Sequence, residues 1–219
     1  MKCSGNIVDL YRRTIYGGTI HVNGGFIEEI TDHQGPHERF ILPGFVDSHV
    51  HIEASMLVPS EFARLAVVHG TVATVSDSHE IANVLGPDGI EFMIANGQSV
   101  PFKFYFSAPS CVPASSFDVS GGSITVSDIQ RLLDRPQIRY LGEMMNVPAV
   151  LHNDADVLAK IAAARERGKP IDGHAPGLSG NDLKTYIGHG ITTDHESVSL
   201  DEALEKIDGG MMIIIREGS

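Results

Sequence analysis

Residues 42–53 carry the run Leu42-Pro43-Gly44-Phe45-Val46-Asp47-Ser48-His49-Val50-His51-Ile52-Glu53. The middle of this run has the composition of a short β-strand, and side chains two residues apart on a strand point to the same face. His49 and His51 can therefore present both imidazole rings to one metal ion at the end of that strand. The run predicts a strand that supplies a metal-binding pair.

From Phe40 onward, short apolar segments alternate with longer amphipathic ones, which is typical of βα units around a parallel sheet. Seven strands are predicted, at 40–47, 71–77, 102–107, 139–143, 170–173, 191–194 and 211–215. Their order predicts a TIM-like (β/α)8 barrel, a fold of about 250 residues. No eighth strand is found, and open parallel edges are normally avoided. We therefore expect an α/β barrel that is truncated after strand 7.

The N-terminal part has a different texture. Residues 1–38 hold short alternating segments next to Gly17-Gly18 and Gly24-Gly25, which are predicted to be turns. The predicted organisation is a small β segment of sandwich type at 1–38 and an incomplete barrel at 39–219. Helix starts are predicted at Ser127, which would form a capping box with Gln130, and at Ser199.

Composition excludes several classes of function. The net charge is −12 and the sequence pI is about 5.2, so a nucleic-acid or acidic-membrane surface is not expected. No run of 18 apolar residues or signal-peptide core is present. The two cysteines, Cys3 and Cys111, are too few for a disulfide framework. The chain is predicted to be cytoplasmic and reduced.

Three further candidate ligands follow later strands. Glu143, His174 and His195 lie at the ends of the fourth, fifth and sixth predicted strands. Because the C-terminal ends of barrel strands converge, these side chains are expected to join His49 and His51. Five ligands predict two metal ions, with Glu143 bridging them and a shared water activated as hydroxide. Without a thiolate, the donor set suits Mn, Fe, Zn or Ni.

The second predicted strand ends in Ser76-Asp77-Ser78-His79-Glu80. Glu80 is a candidate proton shuttle, since carboxylates at such sites are often tuned by burial and neighbouring charge. It is alternatively a carboxylate favoured at a helix N-terminus. His79 is a candidate for a metal ligand or for a residue that supports one.

The roles of three other residues stay open. Asp194 either supports His195 or caps the loop that follows its strand. Ser110 and Cys111 are candidates for lining a substrate pocket, although Cys111 is equally well explained as buried core. Residue spacing assigns no substrate-binding residue.

The run at 42–53 resembles the signature of the amidohydrolase superfamily. Six further runs are similar to the adenine deaminase family and occur in its order: DSHEIANVLG at 77–86, PSCVPA at 109–114, GEMMN at 142–146, DGHAPGLSG at 172–180, TTDHE at 192–196 and IREGS at 215–219. The resemblance extends from about residue 5 to the final residue.

This resemblance implies a specific reaction, the hydrolysis of adenine to hypoxanthine and ammonia in purine salvage. It implies a binuclear centre, with Mn or Fe preferred to Zn, at the positions matching the family's ligands: His49, His51, Glu143, His174 and His195. It also associates Glu80 with proton transfer. The implied partner is a small purine.

The chain also departs from the family pattern. The family completes its first metal site with an aspartate after the eighth strand and adds a C-terminal domain, and the sequence stops before both. The resemblance therefore implies an isolated chain that is impaired or inactive, and one that acts as a homo-oligomer or with a missing C-terminal part.

Two other functions stay open at this stage. The first is another amidohydrolase, a cyclic amide hydrolase or a deacetylase, which would share the His49 and His51 pair. Against it stands Glu143, where many such enzymes use a carboxylated lysine. The second is a fragment that binds metal or a partner without turnover.

Overall fold

The structure is a computed structural model that describes residues 1–33, 38–115 and 117–216. Residues 217–219, the end of the last run quoted above, lie outside the described residues. The chain divides into two compact units, Met1–Gly44 and Phe45–Ser219.

The first unit is a four-stranded sheet in the order β3-β2-β1-β4. Its strands are β1 (Lys2–Asp9), β2 (Thr14–Asn23), β3 (Phe26–Asp32) and β4 (Phe40–Ile41). The first three strands pair antiparallel, and β4 runs parallel to β1. A small N-terminal β segment was expected, and this sheet has that character.

The two glycine pairs have different roles. Gly24 and Gly25 connect β2 to β3 with φ values of 58° and 84°, which is the conformation that a tight hairpin requires. The prediction that Gly17 and Gly18 form a turn is wrong, because both lie inside β2. A Cβ atom at Gly18 would come within 2.6 Å of the Ile7 side chain, so this glycine permits close packing within the sheet.

The second unit is a curled parallel sheet surrounded by helices. A five-stranded part contains β5 (Phe45–Val50), β6 (Thr71–Ser76), β7 (Lys103–Ala108), β8 (Ile138–Met144) and β9 (Ile171–Gly173), in that order. Two short strands, β10 (Thr193–Asp194) and β11 (Met212–Ile213), form a parallel pair. The backbone N–H of Thr192 donates to the carbonyl of Ile171 at 3.2 Å, which places β10 beside β9. These seven strands confirm the predicted barrel class.

The first predicted barrel strand needs a correction. Residues 40–47 were expected to form one strand, but Phe40–Ile41 pairs with β1 while Phe45–Val50 pairs with β6. Pro43 lies between the two segments, and a proline has no N–H to donate to a sheet. The two compact units accordingly divide after Gly44.

Helices follow the barrel strands. They are α1 (Pro59–Val67), α2 (His79–Leu85), α3 (Pro87–Gly97), α4 (Val126–Leu133), α5 (Val147–Leu151), α6 (Ala155–Glu166), α7 (Gly180–Gly188) and α8 (Leu200–Asp208), with a 3-10 turn at Ile52–Ser55. Among the described residues, no helix is both long and apolar enough to span a lipid bilayer.

Helix ends illustrate what local sequence determines. Ser199 caps α8 by accepting from the N–H of Glu202, as predicted. The cap of α4 is Thr125, which forms a capping box with Asp128, and the prediction of Ser127 is wrong by two residues. Both pairs have the spacing of a capping box, and the buried face of Ile129, Leu132 and Leu133 decides where the helix begins.

The core of the second unit lies between β8 and the helices that flank it. Leu141 and Met144 are fully buried in β8, as are Ile129 and Leu132 of α4. A strand buried on both faces is typical of a parallel sheet covered by helices. This packing fixes the end of β8, which carries Glu143.

Candidate metal centre

The five predicted ligands lie at the C-terminal ends of four barrel strands. His49 belongs to β5 and His51 follows it, while Glu143 belongs to β8. His174 and His195 come directly after β9 and β10. Parallel strands bring their C-terminal ends to one edge, and the side chains meet there.

The carboxylate of Glu143 is at the centre of this cluster and is almost fully buried. Its Oε1 atom lies 3.1 Å from Nε2 of His51 and 3.8 Å from Nε2 of His49. Its Oε2 atom lies 2.7 Å from Nδ1 of His174 and 3.1 Å from Nε2 of His195. Each carboxylate oxygen therefore faces a different pair of histidines.

The first histidine pair is oriented by groups outside the cluster. Nδ1 of His51 lies 2.9 Å from the backbone carbonyl of Asp77, and Nδ1 of His49 lies 3.0 Å from Oδ2 of Asp172. A carbonyl oxygen only accepts, so Nδ1 of His51 carries the proton, and the carboxylate favours the same tautomer in His49. With a metal bound, both Nε2 atoms would direct lone pairs into the cluster.

The residues present fit a divalent cation. The two Nε2 atoms of His49 and His51 lie 3.1 Å apart, and two lone pairs at that distance repel each other unless a positive charge lies close to both. Imidazole nitrogens and carboxylate oxygens are ligands that Zn, Fe and Mn accept. An outer hydrogen bond to the other ring nitrogen is typical of metal-binding histidines.

The pKa values in the cluster reflect how closely its charged groups approach one another. Burial lowers the pKa of His51, but its hydrogen bond to Glu143 and the charge of Asp77 outweigh burial and raise the pKa to about 9. Burial would raise the pKa of Glu143, yet hydrogen bonds from His174, His195 and His51 hold it well below its usual range. In the absence of a metal, protons supply the positive charge that this carboxylate attracts.

Two groups of three residues account for the five predicted ligands. His49, His51 and Glu143 form one, and Glu143, His174 and His195 form the other, each with ligand atoms within 4.8 Å of one another. The groups share only Glu143. Among the described residues, two further groups have metal-binding spacing: His49, Asp172 and His195, and Asp77, His79 and Glu143.

His79 and Glu80 begin α2 at the edge of the cluster. Nδ1 of His79 lies 3.3 Å from Oε1 of Glu143, and Nε2 of His79 lies 3.7 Å from Oε1 of Glu80. Burial lowers the pKa of His79, but the nearby Asp77 carboxylate outweighs it and the pKa is raised. The Glu80 side chain is 54% exposed, so it lies between the buried cluster and solvent.

Sequence reasoning missed two carboxylates that support the cluster. Asp77 is fully buried and accepts hydrogen bonds from Oγ of Ser107 and the backbone N–H of Glu143, both at 2.8 Å. Asp172 orients His49. A signal for Asp172 existed, since it precedes His174 by two residues and therefore shares its face of the strand. Asp77 stood in a quoted run but had no periodicity to single it out.

Three candidates with open roles lie outside the ligand cluster. Asp194 accepts from the N–H of Ala175 at 2.8 Å and from Nζ of Lys206 at 2.8 Å, contacts that join loops. Oγ of Ser110 donates to the backbone carbonyl of Glu143 at 2.6 Å. Ser110 and Cys111 are buried and line part of a cavity of about 860 Å³.

Comparison with known proteins identifies the class. The sequence profile of the amidohydrolase family matches residues 40–217, and the chain belongs to that family. An atrazine chlorohydrolase mutant from Arthrobacter aurescens, crystallised with zinc and atraton, superposes with a TM-score of 0.62 at 11% identity, over 98% of this chain and 71% of that one. At this level of sequence identity, the structural similarity shows the fold alone.

Two similar sequences indicate a narrower group within this family. The adenine deaminase of Salinibacter ruber is 56% identical over 216 residues, which cover 99% of this chain and 40% of that protein. The adenine deaminase of Methanosarcina acetivorans is 54% identical over 218 residues, which cover 100% of this chain and 39% of that protein. The resemblance to the adenine deaminase family is confirmed. The chain spans about 40% of the length of these relatives.

Proposed function

We propose that this chain contributes the metal centre of an adenine deaminase, which hydrolyses adenine to hypoxanthine and ammonia. The observation that carries the proposal is the position of Glu143, whose two carboxylate oxygens face His49 with His51 on one side and His174 with His195 on the other. The identity to adenine deaminases over the whole chain supports the choice of substrate.

The proposed ligands are His49, His51, Glu143, His174 and His195, with His79 as a further candidate. When bound there, two divalent ions would supply Lewis acidity and lower the pKa of water toward neutrality. The nitrogen and oxygen donors of this set accept Mn, Fe and Zn, and we propose Mn or Fe as the native metal.

The protein residues must also move protons. Hydrolysis adds the oxygen of water to C6 of adenine and releases the amino group as ammonia, so water gives up two protons, one that ends on the N1 ring nitrogen of hypoxanthine and one that the leaving nitrogen gains. We propose that Glu80 carries this proton, because its carboxylate combines solvent exposure with a position 3.7 Å from the His79 ring. Asp77 and Asp172 would orient the histidines.

Some properties stay predictions because the chain spans about 40% of the relatives' length. These are the role in purine salvage, the cytoplasmic location, and assembly as a homo-oligomer or with a further C-terminal part. The expectation that the 219-residue chain alone is impaired belongs to the same set.

The test is a chimera in which this chain replaces the matching portion of the Salinibacter ruber protein, since 56% identity favours correct assembly. The chimera is loaded with Mn²⁺, its metal content is counted, and ammonia release from adenine is measured. A matched Glu143→Gln chimera is the control. We expect turnover by the first and loss of turnover by the second.

Two outcomes would contradict the proposal. One is a folded, metal-loaded chimera that releases no ammonia from adenine. The other is equal turnover by the Glu143→Gln chimera, which would show that the relative's own portion performs the reaction. Assaying the 219-residue chain alone in parallel tests whether it is impaired.

A further inference from the structure

We propose that Lys206 is a positioning residue. It fixes the His174 loop and the His195 loop relative to each other, and so positions the second group of ligands, Glu143, His174 and His195. The proposal rests on the proposed metal centre. Lys206 lies in α8, touches none of these ligands, and was not indicated by the sequence.

Lys206 is an unusual residue because its side chain is fully buried. Its Nζ atom has three N–H groups to donate, and four acceptors surround it: the carbonyl of Ala175 at 2.6 Å, Oε1 of Glu202 at 2.7 Å, Oδ2 of Asp194 at 2.8 Å and Oγ of Ser197 at 3.1 Å. A buried ammonium group is tolerated only when it is paired and hydrogen-bonded in this way. The geometry therefore uses all of its donors.

The first two of these contacts reach the His174 loop. Ala175 directly follows His174, and its carbonyl binds Lys206 while its N–H donates to Oδ1 of Asp194 at 2.8 Å. Glu202 extends the same connection, because its Oε1 atom accepts from the N–H of Gly177 at 2.8 Å. The loop is held on both sides of residue 176.

The remaining contacts reach the His195 loop. Asp194 directly precedes His195, and its Oδ2 atom binds both Lys206 and Oγ of Ser197, the latter at 2.7 Å. Glu202 also accepts from the N–H of Val198 at 3.2 Å. One cation and two carboxylates thus join the residues that follow His174 to the residues on either side of His195.

The electrostatics make this connection specific to Lys206. The Asp194 carboxylate is fully buried, and its Oδ2 atom binds Nζ of Lys206 at 2.8 Å and Oγ of Ser197 at 2.7 Å. Removing the ammonium group leaves this fully buried carboxylate without its counter-charge. The two loops would then lose their common anchor, and His174 and His195 would no longer be held at Oε2 of Glu143.

Lys206 makes no direct contact with the groups that orient the first ligand group. His49 and His51 are oriented by Asp172 and the carbonyl of Asp77, and Lys206 contacts neither of them. A positioning role for Lys206 therefore predicts a selective effect on one of two metal equivalents. A purely structural role would lower stability and leave the ratio of the two affinities unchanged.

The experiment measures Mn²⁺ and Co²⁺ binding by the metal-stripped 219-residue chain, using competition with a chelator and the visible spectrum of each Co²⁺ equivalent. Lys206→Met is compared with the natural chain and with Lys160→Met. Lys160 is a matched control because it is also a buried lysine, and it contacts the carbonyl of Ser110 and the carboxylate of Asp156, both away from the two loops.

We expect Lys206→Met to weaken the second equivalent by about 10- to 100-fold, the range typical of changes around metal ligands. The first equivalent and its Co²⁺ spectrum should stay the same, and Lys160→Met should bind both ions as the natural chain does. Equal weakening of both equivalents, or no weakening, would overturn the proposal.

Glu202→Gln keeps the test decisive if Lys206→Met does not fold. It removes one charge from the cluster but retains an oxygen acceptor, and we expect a smaller loss confined to the second equivalent. If Glu202→Gln folds and binds both ions as the natural chain does, the proposal is overturned. If the natural chain itself binds no second ion, the proposed binuclear centre fails, which distinguishes that outcome from failure of the role of Lys206.

Discussion

Nδ1 of His49 lies 3.0 Å from Oδ2 of Asp172, although 123 residues separate the two in the chain. The other oxygen of Asp172 accepts from Oγ1 of Thr193 and from the N–H of Gly173. Each of these three groups can donate, so the carboxylate can accept on both sides. The contact fixes the His49 ring with its Nε2 lone pair directed at the metal centre.

Asp172→Asn should weaken metal binding by about 10- to 100-fold, as expected for a partner of a metal-binding histidine. The amide has one oxygen and one NH₂ group, so one side of residue 172 would place a donor against a donor. Isothermal titration with Mn²⁺ checks the change. Asp182→Asn, an exposed position in α7, is the control, and equal affinities in the two variants would contradict the role of Asp172.

Glu143→Gln should weaken metal binding by more than about 100-fold, a larger loss than that of Asp172→Asn, because it removes a proposed ligand rather than a supporting group. The amide has a single oxygen that can bind a metal, whereas the carboxylate places one oxygen beside each histidine pair. The expected result is a chain that retains at most one equivalent. Metal analysis after gel filtration measures this, and retention of two equivalents would show that Glu143 does not bridge.

The sequence was sufficient to predict that the five candidate ligands come together, because each stands at a strand end and strand ends converge in a barrel. Local rules also placed the Ser199 cap of α8 correctly. They failed for residues 40–47, where the pairing of Phe40–Ile41 with β1 is a tertiary contact that no local pattern encodes.

Lys206 shows why supporting residues are harder to predict. It lies among Glu202, Glu205 and Asp208 in α8, and charged residues in such a helix are mostly exposed. Its burial results from contacts with two loops, and the loop that contains Ala175 lies 31 residues earlier in the chain. Asp77 is comparable, since its partners Ser107 and Glu143 come from other strands.

Metal affinity should rise with pH. The pKa of His51 is raised to about 9 in the metal-free protein, and the pKa values of His79 and His174 are also raised. Metal binding must displace the His51 proton below that pH, so the apparent affinity should increase by about tenfold per pH unit for each proton displaced. Titrations between pH 6 and pH 9 measure the slope, and a flat profile would contradict the proton count.

The stability of the metal-free chain should have the opposite dependence. A folded pKa of about 9 against an ordinary value of 6.5 means that protonated His51 stabilises the fold fully below about pH 6.5 and that this contribution is lost as the pH rises through 9. Thermal unfolding should therefore show a falling Tm over this window. In a His51→Gln chain the fall should be smaller, and an identical fall would assign it to other groups.

Gly142→Ala tests the packing beneath Glu143. A Cβ atom at residue 142 would clash with Oδ2 of Asp77, and Asp77 is fully buried and binds the backbone N–H of Glu143. We expect destabilisation by about 1–3 kcal/mol, as for other overpacked cores, together with weaker metal binding because Glu143 must shift.

The matched control is Gly188→Ala in α7, where a Cβ atom meets nothing within 4 Å and where alanine should stabilise the helix by up to about 1 kcal/mol. Urea unfolding of both variants gives the two free energies. Should Gly142→Ala unfold at the same urea concentration as the natural chain, the close contact between residue 142 and Asp77 would not limit the position of Glu143.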